Sequence, residues 1–144
     1  MRKSASPREG TAARPALLAD TAADLMTAPA VSLPDTAIIP EAVALLIEKG
    51  FHAAPVINAA GRPVGVLSTT DILLYAGQKS DRLPVREIMT PAVFSVAPDT
   101  PASKVVDEFL ALKVHQLFVV DKAGVLIGVI STLDVLRRLG RAAA

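Results

Sequence analysis

The chain has 144 residues, of which 51% are hydrophobic, 20% charged and 3% aromatic. These values indicate one compact domain, or two half-domains, with an aliphatic core and mixed α and β structure. The absence of cysteine excludes disulfides and thiolate metal sites, and no apolar run approaches the roughly 18 residues of a membrane span, so we expect a cytoplasmic protein without a membrane partner. Residues 1–14 carry a net charge of +3 and the rest of the chain about −2. The body therefore lacks the clustered basic residues that bind nucleic acid, and we expect no nucleic-acid partner.

The predicted elements follow an internal repeat. Residues 65–71, Gly-Val-Leu-Ser-Thr-Thr-Asp, correspond to residues 128–134, Gly-Val-Ile-Ser-Thr-Leu-Asp, at an offset of 63 positions. Because each repeat is too small to bury its own core, we expect the two to fold against each other about a pseudo-two-fold axis. The predicted division is a flexible N-terminal tail at 1–14, a first repeat at 15–77, a linker at 78–84 and a second repeat at 85–140.

In the first repeat, a short extended segment at 31–33 precedes a helix predicted over 40–49. This helix has a proline in its first turn and a glycine directly after its end, which are typical start and stop signals. Two strands at 55–58 and 64–68 follow, and a final helix begins near Thr70.

The second repeat has the same order of elements. Its first helix is predicted over 101–113 with Thr100 as N-cap, and its strands over 117–121 and 125–131. The last strand of each repeat is a nearly unbroken aliphatic run, which indicates burial on both faces. The final helix is predicted to begin near residue 133 and to continue through residue 139.

A Ser-x-x-Asp motif lies at the last junction between strand and helix in each repeat. Asp71 and Asp134 are placed to accept hydrogen bonds from the 2′ and 3′ hydroxyls of a ribose, because this junction holds a carboxylate rigidly. Ser68 and Ser131, with the N–H groups of the first helical turn, are placed to meet a phosphate. The same motif is also a helix-capping pattern, so a purely structural role is the alternative.

Two glycines and two methionines recur beside these motifs. Gly65 and Gly128 lack a Cβ, so they allow the close approach of either a ligand or a neighbouring backbone. Met26 and Met89 are interpreted as core packing. The basic residues near the C-terminus are interpreted as a solvated face rather than as phosphate ligands; they are Arg137, Arg138 and Arg141.

The order of elements, the Met-Thr pairs at 26–27 and 89–90, and the two Ser-x-x-Asp motifs together resemble the cystathionine β-synthase (CBS) domain. The resemblance covers about residues 16–140 in two copies. It implies a stand-alone regulatory pair of α/β repeats packed through their sheets, with two clefts between them. It further implies that the clefts bind adenosine-containing ligands such as AMP, ADP, ATP, S-adenosylmethionine or NAD, and that binding modulates a partner protein.

By the same resemblance, the adenine is read by the backbone just before the first core strand of each repeat, and two threonines line the same clefts. Each cleft draws on both repeats, so Asp71 is expected to act with residues of the second repeat and Asp134 with residues of the first. Because Phe118 replaces Pro55, one cleft is expected to be narrower. The expected ligand-binding residues are Ser68, Asp71, Ser131, Asp134, Thr27, Thr90, Phe51, His52, Ala53, Val114, His115 and Gln116.

Two other functions compete with this one. A ligand-free dimerisation or docking module would use the Ser-x-x-Asp motifs only as helix caps. An enzyme would need a nucleophile with an orienting base, a metal cluster or a phosphate-binding Gly-rich loop with lysine, and the sequence has none of these. We therefore expect no catalytic residue, no metal and no obligatory cofactor.

The longer helix of each repeat predicts a homodimer. Its aliphatic positions form a face that one chain of this size does not cover by itself. The positions are Val43, Leu46 and Ile47 in the first repeat, and Val106, Phe109 and Leu110 in the second.

Deletion of residues 1–14 is predicted to leave the melting temperature unchanged, because this segment precedes the first repeat and has no periodic apolar face to bury. Thermal unfolding of the full and shortened chains tests this. A loss of several degrees on deletion would show that the segment packs against the body.

Overall fold

The computed structural model describes residues 15–75 and 82–141, and the mixed α and β fold predicted from the sequence is confirmed. The predicted tail at 1–14 and residues 78–81 of the predicted linker lie outside the described residues. Among the described residues, no helix is long and apolar enough to cross a membrane. The elements in chain order are β1 (Pro15–Leu17), α1 (Ala22–Leu25), β2 (Leu33–Pro34), α2 (Ile39–Lys49), β3 (Ala53–Ile57), β4 (Pro63–Ser68), α3 (Thr69–Tyr75), a 3-10 turn (Val85–Glu87), β5 (Ser95–Val96), α4 (Ala102–Leu112), β6 (Gln116–Val120), β7 (Leu126–Ser131), α5 (Thr132–Arg137) and β8 (Leu139–Arg141).

The sequence repeat is also a structural repeat. Each copy forms a 3-stranded sheet, in the order β2-β3-β4 or β5-β6-β7, with a parallel first pair and an antiparallel second pair. The registers agree, since Val56 pairs with Gly65 and Val119 pairs with Gly128. The middle strands β3 and β6 have the same burial pattern, with three buried residues flanked by half-buried ones.

The two repeats exchange their leading segments. Ala22 and Leu25 of α1, from the first repeat, are buried in the core formed by α4 and the second sheet. Val85 and Ile88, which precede the second repeat's sheet, are buried in the core formed by α2 and the first sheet. Neither core is complete without the other repeat, as the predicted folding of the two halves against each other requires.

Backbone hydrogen bonds hold the exchanged segments in register. Thr27 pairs with Val129 of β7, through N–H···O contacts of 2.9 and 3.1 Å. Thr90 pairs in the same way with Val66 of β4, at 2.8 and 2.9 Å. Each threonine is therefore fixed on the last strand of the opposite repeat, next to the junction where the following helix begins.

Gly65 of β4 and Gly128 of β7 each lie against a methionine of the opposite repeat. A Cβ on Gly65 would lie 2.6 Å from Sδ of Met89 and 2.8 Å from the carbonyl oxygen of Thr90. A Cβ on Gly128 would lie 2.5 Å from Sδ of Met26. The close approach at these glycines is made by the neighbouring chain segment, and both methionines pack against the cores as predicted.

The predicted C-terminal helix is too long. Helix α5 ends at Arg137, and the following residues form β8, which pairs antiparallel with β1 so that Leu17 lies opposite Leu139. The guanidinium of Arg138 donates to the carbonyl oxygens of Leu18 at 3.0 Å and Asp24 at 2.6 Å. Arg138 therefore fastens the leading segment to the end of the second repeat, whereas the sequence suggested only a solvated side chain.

Asp24 caps α1 within this fastened segment. Its carboxylate accepts the backbone N–H groups of Asp20 at 2.9 Å and Thr21 at 3.1 Å. These backbone hydrogen bonds, and then the charge of Arg138, hold the pKa of Asp24 below its usual value because they stabilise the ionised carboxylate.

Three predictions on the longer helices need correction. Thr100 does not cap α4, because Pro101 occupies the N-cap position and the Thr100 hydroxyl oxygen instead accepts the N–H of Ala97 at 3.0 Å.

Leu46 and Phe109, which were assigned to exposed faces, are buried in the two cores. The exposed apolar residues at the equivalent places are Ile47 and Leu110.

The Gly65→Ala substitution is predicted to reduce the free energy of unfolding by about 1–3 kcal/mol, because the new methyl group meets a backbone oxygen that cannot rotate away. Gly128→Ala is the matched control and is expected to cost less, since the three atoms nearest to its new methyl group all belong to the side chain of Met26 and none is a backbone atom. Urea unfolding of both variants measures the difference. Equal costs, or a larger cost at Gly128, would contradict this explanation.

Candidate functional site

A cleft with a volume of about 960 Å³ is lined by residues of both repeats. All of the ligand-binding residues expected from the sequence lie on its wall. They are Ser68, Asp71, Ser131, Asp134, Thr27, Thr90, Phe51, His52, Ala53, Val114, His115 and Gln116. The residues expected for both clefts thus line the same open space between the repeats, while the role of each residue in ligand binding stays a prediction.

Asp71 lies in the first turn of α3, directly after β4. Its Oδ2 accepts the backbone N–H of Ser68 at 2.9 Å, and its own N–H donates to the Ser68 hydroxyl at 3.1 Å. Its Oδ1 accepts the hydroxyl of Thr90 at 3.3 Å. One carboxylate oxygen therefore caps the helix, and the other contacts the opposite repeat.

Asp134 has the same arrangement at the start of α5. Its Oδ2 accepts the N–H of Ser131 at 2.7 Å and the Ser131 hydroxyl at 3.0 Å. Its Oδ1 accepts the hydroxyl of Thr27 at 3.5 Å and Nη1 of Arg137 at 3.1 Å. The structure thus brings Thr90 to Asp71 and Thr27 to Asp134, across the seam between the repeats.

The capping and ligand-binding interpretations of the Ser-x-x-Asp motifs are compatible in this geometry. The capping box holds Oδ2 and fixes the carboxylate, while Oδ1 is engaged by the side chain of a threonine in the opposite repeat. An ionised carboxylate oxygen is a strong acceptor for hydroxyl groups. A ribose diol would therefore compete with the threonine hydroxyl for Oδ1 without removing the helix cap.

The two histidines occupy equivalent positions on the wall of the cleft. The carbonyl oxygen of His52 accepts the N–H of Thr69 at 2.9 Å, and that of His115 accepts the N–H of Thr132 at 3.2 Å. These backbone bonds fix the entry to β3 and β6 beside the Ser-x-x-Asp junctions. Within residues 15–75 and 82–141, no group of three or more His, Cys, Asp or Glu side chains is arranged to hold a metal ion.

The cleft also contains residues that the sequence pattern did not assign to it. Arg137 lines the wall and pairs with Asp134, and its side chain is 69% exposed, in agreement with the solvated face expected from the sequence. The signal for this pair was the i,i+3 spacing on one helix. Val31 and Phe94 also line the cleft, and their offset of 63 would have identified them as equivalent wall positions.

Phe118 and Pro55 both line the cleft, as the comparison of the two repeats suggested. Phe118 is buried, with 2% of its surface exposed, and its N–H donates to the carbonyl oxygen of Phe94 at 3.0 Å. Both side chains are buried, so the expected narrowing of one half of the cleft stays a prediction.

The fold and the cleft define a tandem pair of α/β repeats that share their cores and form one ligand-sized space at their seam. Residues 22–77 and 85–141 each match the sequence model of the CBS domain. The chain therefore belongs to the CBS domain family.

Named relatives carry the same module. The γ-3 subunit of 5′-AMP-activated protein kinase from Bos taurus is 32% identical over 114 residues, which cover 73% of this chain and 23% of that protein. The chain thus spans less than a quarter of this relative's length. Among solved structures, CBSX2 in complex with AMP has a TM-score of 0.72 at 28% identity and covers 83% of this chain and 95% of that one.

A second solved structure extends the comparison to another nucleotide. The CBS domain of the bacterial CNNM/CorC family Mg²⁺ transporter, in complex with ATP, has a TM-score of 0.74 at 26% identity. The similarity covers 85% of this chain and 88% of that one. CBS modules with this fold therefore bind AMP in one case and ATP in another.

Proposed function

We propose that this chain is a regulatory module that binds an adenosine-containing ligand in the cleft between its repeats and thereby modulates a partner protein. The observation that carries the proposal is the pair of carboxylates, Asp71 and Asp134, each fixed by a capping box with Oδ1 directed to the opposite repeat. A rigid carboxylate is a strong acceptor for the two hydroxyls of a ribose, and each repeat has one.

The first ligands to test are AMP and ATP, since solved relatives hold these nucleotides. ADP, S-adenosylmethionine and NAD carry the same adenosine and belong in the same screen. The volume of about 960 Å³ spans both halves of the cleft and lies at the upper end of the range of about 300–1,000 Å³ for small-molecule sites.

Ligand binding would act on the seam between the repeats. A ribose on Asp71 or Asp134 replaces the hydroxyl of a threonine that belongs to the opposite leading segment. Occupancy would therefore alter the contacts that hold the exchanged segments, and a partner that binds both repeats would sense the change.

We also propose that the module is a homodimer. Ile47 and Leu110 are exposed at equivalent positions of α2 and α4, and Leu73 and Leu136 are exposed at equivalent positions of α3 and α5. These side chains are 58–76% exposed, a large fraction for aliphatic residues on a small chain. Because the internal repeat duplicates each apolar position, a second copy would meet it with a matching surface about a two-fold axis.

The alternative is a docking module that dimerises without a ligand. It is favoured by one observation: both capping boxes are complete in the chain alone, so the Ser-x-x-Asp motifs have a structural role without any nucleotide. Under this alternative, no adenosine compound stabilises the fold.

Asp71→Ala and Asp134→Ala are predicted to weaken nucleotide binding at the affected half of the cleft by about ten- to a hundred-fold, because the ribose loses a charged acceptor. Each substitution also removes a helix cap and is expected to reduce the free energy of unfolding by about 1 kcal/mol. Asp24→Ala is the matched control, since it removes the cap of α1 but lies outside the cleft lining. Calorimetric titration and melting curves on all three variants separate affinity from stability.

Deoxyribose analogues give the decisive comparison for the same variants. Removal of the 2′ or 3′ hydroxyl should weaken binding to the wild type and have little further effect where the aspartate is already absent, because both changes delete one interaction. Equal discrimination by the wild type and both cleft variants would mean that neither aspartate contacts the ribose. A screen in which no adenosine compound raises the melting temperature would favour the docking alternative.

Sedimentation velocity is expected to show a species of twice the 15.0 kDa chain mass at micromolar concentration. Two pairs of charged substitutions test the two candidate faces: one pair at Ile47 and Leu110, the other at Leu73 and Leu136. The pair that lies in the dimer contact should shift the protein toward monomer. Ala44→Lys, at an exposed position of α2, serves as the charge control, because it adds a charge to the same helix without removing a large apolar side chain. A monomer at all concentrations would overturn the dimer.

A further inference from the structure

The two halves of the cleft differ in charge. Arg137 lies one turn after Asp134 on α5, with Nη1 3.1 Å from Oδ1. The equivalent position on α3, at an offset of 63 residues, is Leu74. The carboxylate of Asp134 therefore has a cationic partner on its own helix, whereas the matching position beside Asp71 has an aliphatic side chain.

The Asp134 to Arg137 pair is suited to exchange partners. The side chain of Arg137 is 69% exposed, whereas that of Asp134 is 13% exposed. An ion pair with one exposed member is weak, so the arginine is easily drawn away. A guanidinium binds phosphate through paired N–H groups at least as well as it binds a carboxylate.

We infer that Arg137 makes the Asp134 half of the cleft selective for phosphorylated adenosine ligands. An uncharged nucleoside must compete with the guanidinium for Oδ1. A nucleotide phosphate instead attracts Arg137, and this uncovers Oδ1 for the ribose hydroxyls. The Asp71 half has no such requirement and accepts nucleoside and nucleotide with less discrimination. This inference rests on the proposed function, because it assumes that the ribose binds the aspartates.

Other polar groups on the wall do not explain this difference. His52 and His115 occupy equivalent positions in the two halves, as do Ser68 and Ser131. Any contribution that these side chains make to phosphate binding is therefore duplicated.

Thr70 and Gln116 also line the cleft opposite apolar counterparts, which are Leu133 and Ala53. Both polar side chains are uncharged and so form no ion pair with a phosphate. Arg137 is the charged lining residue whose counterpart in the other repeat is uncharged.

The test first isolates each half of the cleft by removing the aspartate of the other half, and then exchanges Arg137 and Leu74 between the two repeats. Asp71→Ala serves as the background for the Asp134 half, and Asp134→Ala as the background for the Asp71 half. In the first background, Arg137→Leu introduces the first repeat's residue. In the second, Leu74→Arg introduces the second repeat's residue. Titration calorimetry with adenosine and with AMP gives the ratio of the two dissociation constants for each variant.

Arg137→Leu is expected to weaken AMP binding by about ten-fold, the loss of one charge-assisted contact. It should also tighten adenosine binding by roughly two- to five-fold, because Oδ1 is no longer held by an ion pair. Leu74→Arg should impose a preference for AMP on the Asp71 half. Arg86→Leu is the control, since it removes the same charge from an exposed position outside the cleft lining.

Arg137→Gln is the second variant if the leucine substitution perturbs folding, because glutamine keeps a polar side chain and removes the charge. An unchanged ratio of adenosine to AMP affinity in both Arg137 variants would overturn the inference while leaving the proposed function in place. The absence of binding by adenosine and AMP would overturn the inference, and the proposed function falls with it only if no other compound of the adenosine screen binds the wild type or stabilises it.

Discussion

The exchange of leading segments is the constraint on which the rest of this structure depends. Leu25 completes the core of the second repeat, and Val85 and Ile88 complete the core of the first. Burial of an aliphatic side chain of this size stabilises a fold by about 1.5–3 kcal/mol, so separation of the repeats would expose apolar surface in both. The bridges at Thr27 and Thr90 add fixed hydrogen bonds to the same seam. Each repeat therefore has an incomplete core when it is taken without the other, despite its complete set of strands and helices.

The same exchange builds the cleft. Each Met-Thr pair places its methionine against a glycine of the opposite last strand and its threonine beside the aspartate that follows that strand. Packing and polar contacts are thus set by adjacent residues of one short segment. A ligand that displaces the threonine hydroxyl acts on the segment that completes the opposite core. The threonine in the cleft and the methionine that packs against that core are adjacent residues, so the ligand site and the core are directly connected.

Much of this arrangement could be predicted because the same motifs occur twice in the sequence, in the same order. The order of strands and helices and the junctions at Ser68 and Ser131 follow from local patterns repeated at one offset, whereas the cleft-facing positions of Thr27 and Thr90 were expected from the resemblance to the CBS domain. The pairing of β1 with β8 has no counterpart in the repeat and joins residues more than 120 positions apart, so no local pattern indicates it. The division of labour between the two oxygens of Asp71 or Asp134 depends on side-chain contacts across the seam, which spacing alone does not specify.

The repeat duplicates shape more faithfully than it duplicates charge. Backbone register, the packing of a methionine against Gly65 and Gly128, and both capping boxes are preserved in the two halves. Leu74 and Arg137 lie on exposed helix surfaces, where a substitution has little effect on packing. Such positions are free to differ without loss of the fold, and in the second repeat the arginine pairs with the oxygen of Asp134 that the capping box leaves for other partners. A symmetric scaffold can therefore present two chemically distinct halves of one cleft.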